Sequence, residues 1–191
     1  EAIFRFCNET MSAVYLAAAK DRLYCDRPDS DRRRRTQTVM HAIADALIRL
    51  LALILPHTAD EAWLALHGEG HDSELTVHAE PLPQPMERVG DANRWSEVMA
   101  LRERCLKRLE DARAQQELDN PLDAGIEVAT EPAAYARLKP FEPELADLCG
   151  VSQFAFDENG AETIGINDLR EMPRCERSWK RDGSVKRRRD G

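Results

Sequence analysis

Aromatic side chains are scarce in this chain of 191 residues, where Phe, Trp and Tyr together make up 6%. Any core must therefore be built mostly from Leu, Ala, Ile and Val. Paired cysteines are missing as well. Cys7, Cys25, Cys105, Cys149 and Cys175 are odd in number and widely spaced, with no Cys-x-x-Cys among them. That pattern argues against a disulfide scaffold and for a reducing, cytoplasmic setting, with Cys7, Cys105 and Cys149 as small core hydrophobes. No apolar run has the length to cross a bilayer, and the start lacks a basic-then-apolar leader. Glu1 already lies in a helical pattern, so the sequence reads as a piece of something longer.

The signatures of catalysis are absent too. There is no phosphate-cradling Gly-rich loop, no Gly-x-Ser-x-Gly turn and no His-Glu-x-x-His. His67, His71 and His78 fall in or beside a Gly/Pro-rich stretch and read as solvated surface residues. The adjacent carboxylates Asp60 and Glu61 suit a helix start, where the dipole favours negative charge. Cys175-Glu-Arg-Ser178 looks like half a zinc knuckle with serine at the second ligand position. One thiol without a second pair does not make a zinc site, so Cys175 is an isolated remnant and no metal is expected. No catalytic residue is assigned.

What is present is a globular composition, 42% apolar and 32% charged, with a net charge of −8 that hides a strong asymmetry. Residues 20–35 carry seven Lys/Arg against four Asp/Glu, and residues 170–191 carry nine against four. The span between them is strongly acidic. A polyanion would be repelled by most of this surface and held only at the two basic patches.

Periodicity predicts a mainly α fold followed by a small α+β module. An amphipathic helix spans 3–24, with Phe4, Cys7, Met11, Val14 or Tyr15 and Ala18 on its stripe. Pro28 marks a turn. A second helix from Arg32 to Leu55 carries Val39, Ile43, Leu47, Leu50 and Ile54 on one face. Its later half, ALIRLLALIL, is apolar nearly all round and is expected to be the most buried helix. Thr58 to Glu61 spells a capping box opening a short third helix. Residues 67–90 form an extended loop, and Asp91–Leu118 is helical again, with Trp95, Val98, Leu101, Cys105, Leu109 and Ala112 in phase. Beyond Pro121 the alternation of Gly125–Thr130 predicts a strand. Helices at 132–139 and 142–149 and strands at Ser152–Phe156 and Glu162–Ile166 follow. The expected organisation is a helical-bundle domain 1–118, an α+β module 119–169 and a basic tail 170–191.

The two patches read differently. At KDRLYCDRPDSDRRRR (20–35), four arginines open a helix against its dipole, but Asp26, Asp29 and Asp31 stand close enough to neutralise them. By charge alone this is a self-neutralised bend. In the tail, Lys180, Arg181 and Lys186 to Arg189 have few sequence-near acids, and Trp179 offers a stacking surface among them. The tail is therefore the better nucleic-acid contact.

Phe6-Cys7, Tyr15, KDRLY (20–24), RRRRTQTV (32–39), the long apolar helix and LPHTADEAW (55–63) together resemble the C-terminal anticodon-binding region of isoleucyl-tRNA synthetases. ARAQQELDNPLDAGIEV (112–128) is similar to that family's entry into its small α+β region. PRCERSWK (173–180) resembles its zinc-binding motif, with Ser178 in place of a ligand. The resemblance implies tRNA recognition, with Arg177 and Trp179 at positions associated with tRNA contact. Lys180, Arg181, Lys20, Arg22, Arg32, Arg33 and Arg34 are the further candidate RNA-binding residues. It also implies a parent isoleucine–tRNA ligase that uses ATP and Mg, through a catalytic domain that is a partner of this fragment, with the tRNA(Ile) anticodon stem-loop as ligand and no membrane. HTADEAW alone would also fit valyl or leucyl relatives. A helical protein-interaction or structural module without RNA binding is the alternative of a different class.

Overall fold

The computed structural model describes residues 1–85, 90–115, 118–158, 160–183 and 185. The chain is mainly helical with one small three-stranded sheet. It divides into two compact units, Glu1–Cys25 with Gly90–Gly191, and Asp26–Val89. The second interrupts the first in sequence.

In the first unit, α1 (Ala2–Arg5), a π-helical segment (Phe6–Leu16) and α2 (Ala17–Tyr24) follow one another without a break. The less exposed positions are Ile3, Cys7, Met11, Val14, Tyr15, Ala18 and Ala19, whereas Phe4 points outward. Four-residue steps suit π winding, whose turn is wider than an α turn. Ile3 therefore takes the place on the stripe that an α-helical reading gives to Phe4.

Helix α5 (Ala92–Ala114) opens on Asp91, whose side chain accepts from the backbone N–H groups of Asn93 and Arg94. Val98, Leu101, Cys105, Leu109 and Ala112 recur at three- and four-residue steps and are all buried, giving one continuous apolar face. That face shares a core with the sheet of β1 (Ala124–Thr130), β2 (Gln153–Glu158) and β3 (Thr163–Asp168). The central β1 runs parallel to β2 and antiparallel to β3. Helices α6 (Pro132–Leu138) and α7 (Glu142–Cys149) make the crossover that a parallel pair needs. The register aligns Phe154, Ile126 and Ile166 in one row and Phe156, Val128 and Ile164 in the next, so a single face of the sheet is apolar. Cys105 and Cys149 lie buried in this core and are hydrogen-bonded thiol to thiol, and that bond together with burial holds the Cys105 thiol far above its ordinary range.

The second unit holds α3 (Asp31–Leu51) and α4 (Pro56–His67) over a small cluster of Ala59, Trp63 and Val77, with Ile48, Ala52 and Leu75 packed on it. Here α3 corrects the sequence reading. Thr36 is its sole buried residue among those described, and Val39, Leu50 and Ile54 of the expected buried stripe are exposed. The central apolar helix is α5 instead, because its apolar face packs into the core that it shares with the sheet. The helix also ends at Leu51, short of the predicted Leu55. Pro56 takes the first position of α4, where its missing N–H costs nothing and the residue before it, Leu55, is kept out of helical geometry. The capping box at Thr58 is therefore not formed.

Asp60, one turn into α4, accepts instead from the Thr76 hydroxyl at 2.7 Å and the Val77 N–H at 3.0 Å. It ties the loop to the helix and seats Val77 in the cluster. Among the described residues no helix is long and apolar enough to cross a membrane.

Candidate nucleic-acid interface

The C-terminal segment does not trail away from the first unit. Residues 173–182 fold back on themselves as a tight hairpin. The N–H of Cys175 donates to the Lys180 carbonyl at 2.8 Å, the N–H of Trp179 donates to the Cys175 carbonyl at 2.8 Å, and Arg174 and Arg181 bridge as an antiparallel pair. Trp179 closes the turn at φ 63° and is the one described non-glycine residue with positive φ. A bulky side chain there costs on the order of 1–2 kcal/mol, so the surrounding bonds must impose it. The indole is nonetheless 55% exposed, and the Arg174 guanidinium lies 5.4 Å from its ring centroid.

The hairpin sits beside α2. Lys20, Asp21, Tyr24 and Cys25 line one side of a groove of about 450 Å³, Asp147 and Gly150 its base, and Arg177 to Lys180 the other side. Arg177 donates to the Tyr24 carbonyl, and Tyr24 itself is 67% exposed. The groove therefore presents two exposed aromatic rings, with the cations Lys20, Arg174 and Arg177 close to them.

The charges of the tail correct the sequence reading. Lys180 does not lack acids: its ammonium lies 2.7 Å from Asp147 and 3.2 Å from Asp21. Burial pulls this lysine down, but the hydrogen bonds and charges of Asp147 and Asp21 outweigh it, and the net shift is upward. Arg181 reaches Asp123 at 2.5 Å and the carbonyls of Arg170 and Met172 at 2.8 and 2.9 Å. Arg22 bonds Asp147 at 2.9 Å. The acids come from distant parts of the chain, so local charge counting misses them. Lys186 to Arg189 lie outside the described residues.

Lys20 is exposed and has no ion pair among the described residues. In the second unit, Arg32 makes a two-pronged bond to Asp26 at 2.8 Å and Arg27 pairs with Asp29 at 3.0 Å. Arg33 donates to the Asp26 carbonyl at 3.1 Å. Arg34 and Arg35 stand exposed with no ion pair among the described residues. The self-neutralised bend thus exists, but it consumes Arg27 and Arg32 and leaves Arg34 outward. Of the candidates, Lys20, Arg177, Trp179 and Lys180 line one groove, and Arg22 joins it through Asp147. Arg181 secures the hairpin from its far side, and Arg32, Arg33 and Arg34 belong to the other unit.

Sequence reasoning missed Asp147, Tyr24 and Arg174. Arg174 could have been found as a basic neighbour of Trp179 and Tyr24 as the aromatic of KDRLY, but nothing in EPELADLC marks Asp147.

The residues do not fit a zinc ion. Ser178 stands at the second ligand position, and its hydroxyl, with the N–H groups of Ser178 and Arg177, hydrogen-bonds the Cys175 sulfur and holds that thiol below its ordinary range. Among the described residues no three His, Cys, Asp or Glu side chains come together as metal ligands.

Residues 1–129 match a family model described as the anticodon-binding domain of tRNA ligase. An isoleucine–tRNA ligase of Geobacter sulfurreducens is 34% identical over 96% of this chain and 21% of its own length. That of Brachyspira hyodysenteriae is 32% identical over 97% and 21%. That of Nitrosococcus oceani is 39% identical over 76% and 16%. The chain thus spans about a fifth of the length of the curated relatives it matches.

Proposed function

The chain belongs to the anticodon-binding domain family of tRNA ligases, and on that premise we propose that it grips the anticodon arm of a tRNA. Its relatives are isoleucine–tRNA ligases, so the tRNA is tRNA(Ile) and the parent is a cytoplasmic isoleucine–tRNA ligase. Aminoacylation with ATP and Mg then belongs to a catalytic region that is not part of this sequence, and no catalytic step falls to these residues. On this reading residues 1–118 are the helical anticodon-binding part, 119–169 the α+β module and 170–191 a basic extension of the contact surface.

The observation that carries the reading is Trp179. An exposed indole held in left-handed backbone, with Arg174 over its ring, costs stability and serves no core. Such strain concentrates at functional positions. Stacking on an unpaired base suits an exposed ring of this kind, because single-stranded loop bases are read by stacking and by edge hydrogen bonds. On this reading Lys20 and Arg177 take phosphates beside it, and Arg34 takes one on the second unit. Positioning on the backbone and reading of bases would thus fall to different side chains.

An isoleucine anticodon stem-loop RNA titrated at low and at moderate salt tests this. The expected result is binding that weakens steeply as salt rises. No binding at low salt, or binding indifferent to salt, would instead favour a protein-interaction or structural module.

A further inference from the structure

The carboxylate of Asp147 is the most enclosed charge at the groove, with its side chain 3% exposed. A buried carboxylate persists in ionised form only when its oxygens are paired. Each oxygen takes one cation: Arg22 Nε donates to Oδ2 at 2.9 Å and Lys180 Nζ to Oδ1 at 2.7 Å. Lys180 also lies 3.2 Å from Asp21. Among the described residues, two cations and two acids meet here and cancel. The cluster therefore offers a phosphate no net attraction, although both of its cations come from the basic stretches that the sequence singled out.

What the cluster does is mechanical. Lys180 follows Trp179 directly, and its carbonyl accepts the Cys175 N–H that closes the hairpin. Tethering the Lys180 ammonium to α7 through Asp147, and to α2 through Asp21, fixes the turn in which Trp179 sits at positive φ. Arg22 completes the link, because it brings α2 to the same carboxylate. A strained turn without such an anchor relaxes, and the indole leaves its place over the groove.

We infer that Asp147 is a positioning residue for RNA contact: it touches no RNA, and it holds the 173–182 hairpin so that Trp179 faces the ligand. This rests on the RNA-binding reading above and adds to it a buried acid that strengthens binding to a polyanion.

The sign of one substitution decides between this and simple electrostatics. Asp147→Asn removes a negative charge and releases Arg22 and Lys180 toward phosphate, so charge alone predicts tighter binding. Positioning predicts the reverse. The experiment titrates the isoleucine anticodon stem-loop RNA against the wild-type chain, Asp147→Asn, Trp179→Ala and the double variant. The expected result is about tenfold weaker binding by Asp147→Asn, and less than a twofold further loss when it is added to Trp179→Ala, since both act through one group. Unchanged or tighter binding by Asp147→Asn, or a full loss on top of Trp179→Ala, would overturn the inference.

If Asp147→Asn fails to fold by circular dichroism, Lys180→Met takes its place, because it leaves Asp147 paired with Arg22. Its loss must again vanish in the Trp179→Ala background, whereas a lysine that grips phosphate directly gives an additive loss. A wild-type chain that does not bind would sink the RNA reading and this inference with it, and one that binds as Trp179→Ala does would sink this inference alone. Normal wild-type binding weakened by Trp179→Ala but not by Asp147→Asn would sink this inference alone.

Discussion

Cations of one sequence run differ by what they already hold. Arg32 spends both arms on Asp26, whereas Arg34, two positions on, faces solvent with no ion pair among the described residues. A guanidinium engaged in a two-pronged bond must break it before it can take a phosphate, and an open one need not. Arg34→Ala should therefore lower the slope of log K against log salt by about 0.7–0.9, as the loss of one phosphate contact does. Arg32→Ala should leave that slope nearly unchanged and instead loosen the bend. RNA titrations of both variants at three salt concentrations read the difference, and equal slope changes would contradict the assignment. The sequence alone announced that acids near the run would consume some of its arginines. Which ones they consumed depended on the turn after Pro28, which brings Asp26 to Arg32 and leaves Arg34 outside.

Among the elements, α4 illustrates how a local signal yields to a stronger one. Thr58 and Glu61 have the spacing of a capping box, but Pro56 begins the helix two residues earlier and leaves Thr58 inside it. Asp60 then acquires a different task, holding Thr76 and Val77. The hydrogen bond from the Thr76 hydroxyl, followed by that from the Val77 N–H, keeps the Asp60 carboxyl below its ordinary range. A carboxylate whose folded value is depressed contributes stability above its unfolded value, and that contribution is lost as pH falls through the folded one. The loop at 75–79 should thus stay docked at neutral pH and detach only below the usual aspartate range, as followed by the Val77 amide resonance. Asp60→Ala should leave it detached at every pH. A resonance that moves near the ordinary aspartate value, or one unaffected by Asp60→Ala, would refute the tether.

At the scale of the molecule, stability resides where helix meets sheet. Leu101 is 1% exposed in the α5 core, whereas Leu53, beyond the end of α3, is 73% exposed. Leu101→Ala should cost about 2–5 kcal/mol in urea unfolding, as cavity-forming substitutions do. Leu53→Ala should stay within about 0.5 kcal/mol, as exposed substitutions do. Similar losses at both sites would mean that the apolar run ending α3 is core after all. Sequence periodicity weighs these leucines alike, because it counts apolar residues without knowing what they face. It did succeed where the pattern is local. The alternation of Gly125–Thr130 and the three- and four-residue steps of α5 were legible to within a few residues, since a strand or an amphipathic helix writes its own period into the chain. The family motifs were legible for the same reason, as short runs of fixed order. The hairpin at 173–182, the left-handed Trp179 and the pairing of Arg22 with Asp147, 125 positions away, have no such period. The sequence by itself determined the mainly α class, the α+β module and two basic stretches. Only the tertiary structure decided which cations stay open and which are cancelled, because a salt bridge depends on distance in space and the chain brings its acids from afar.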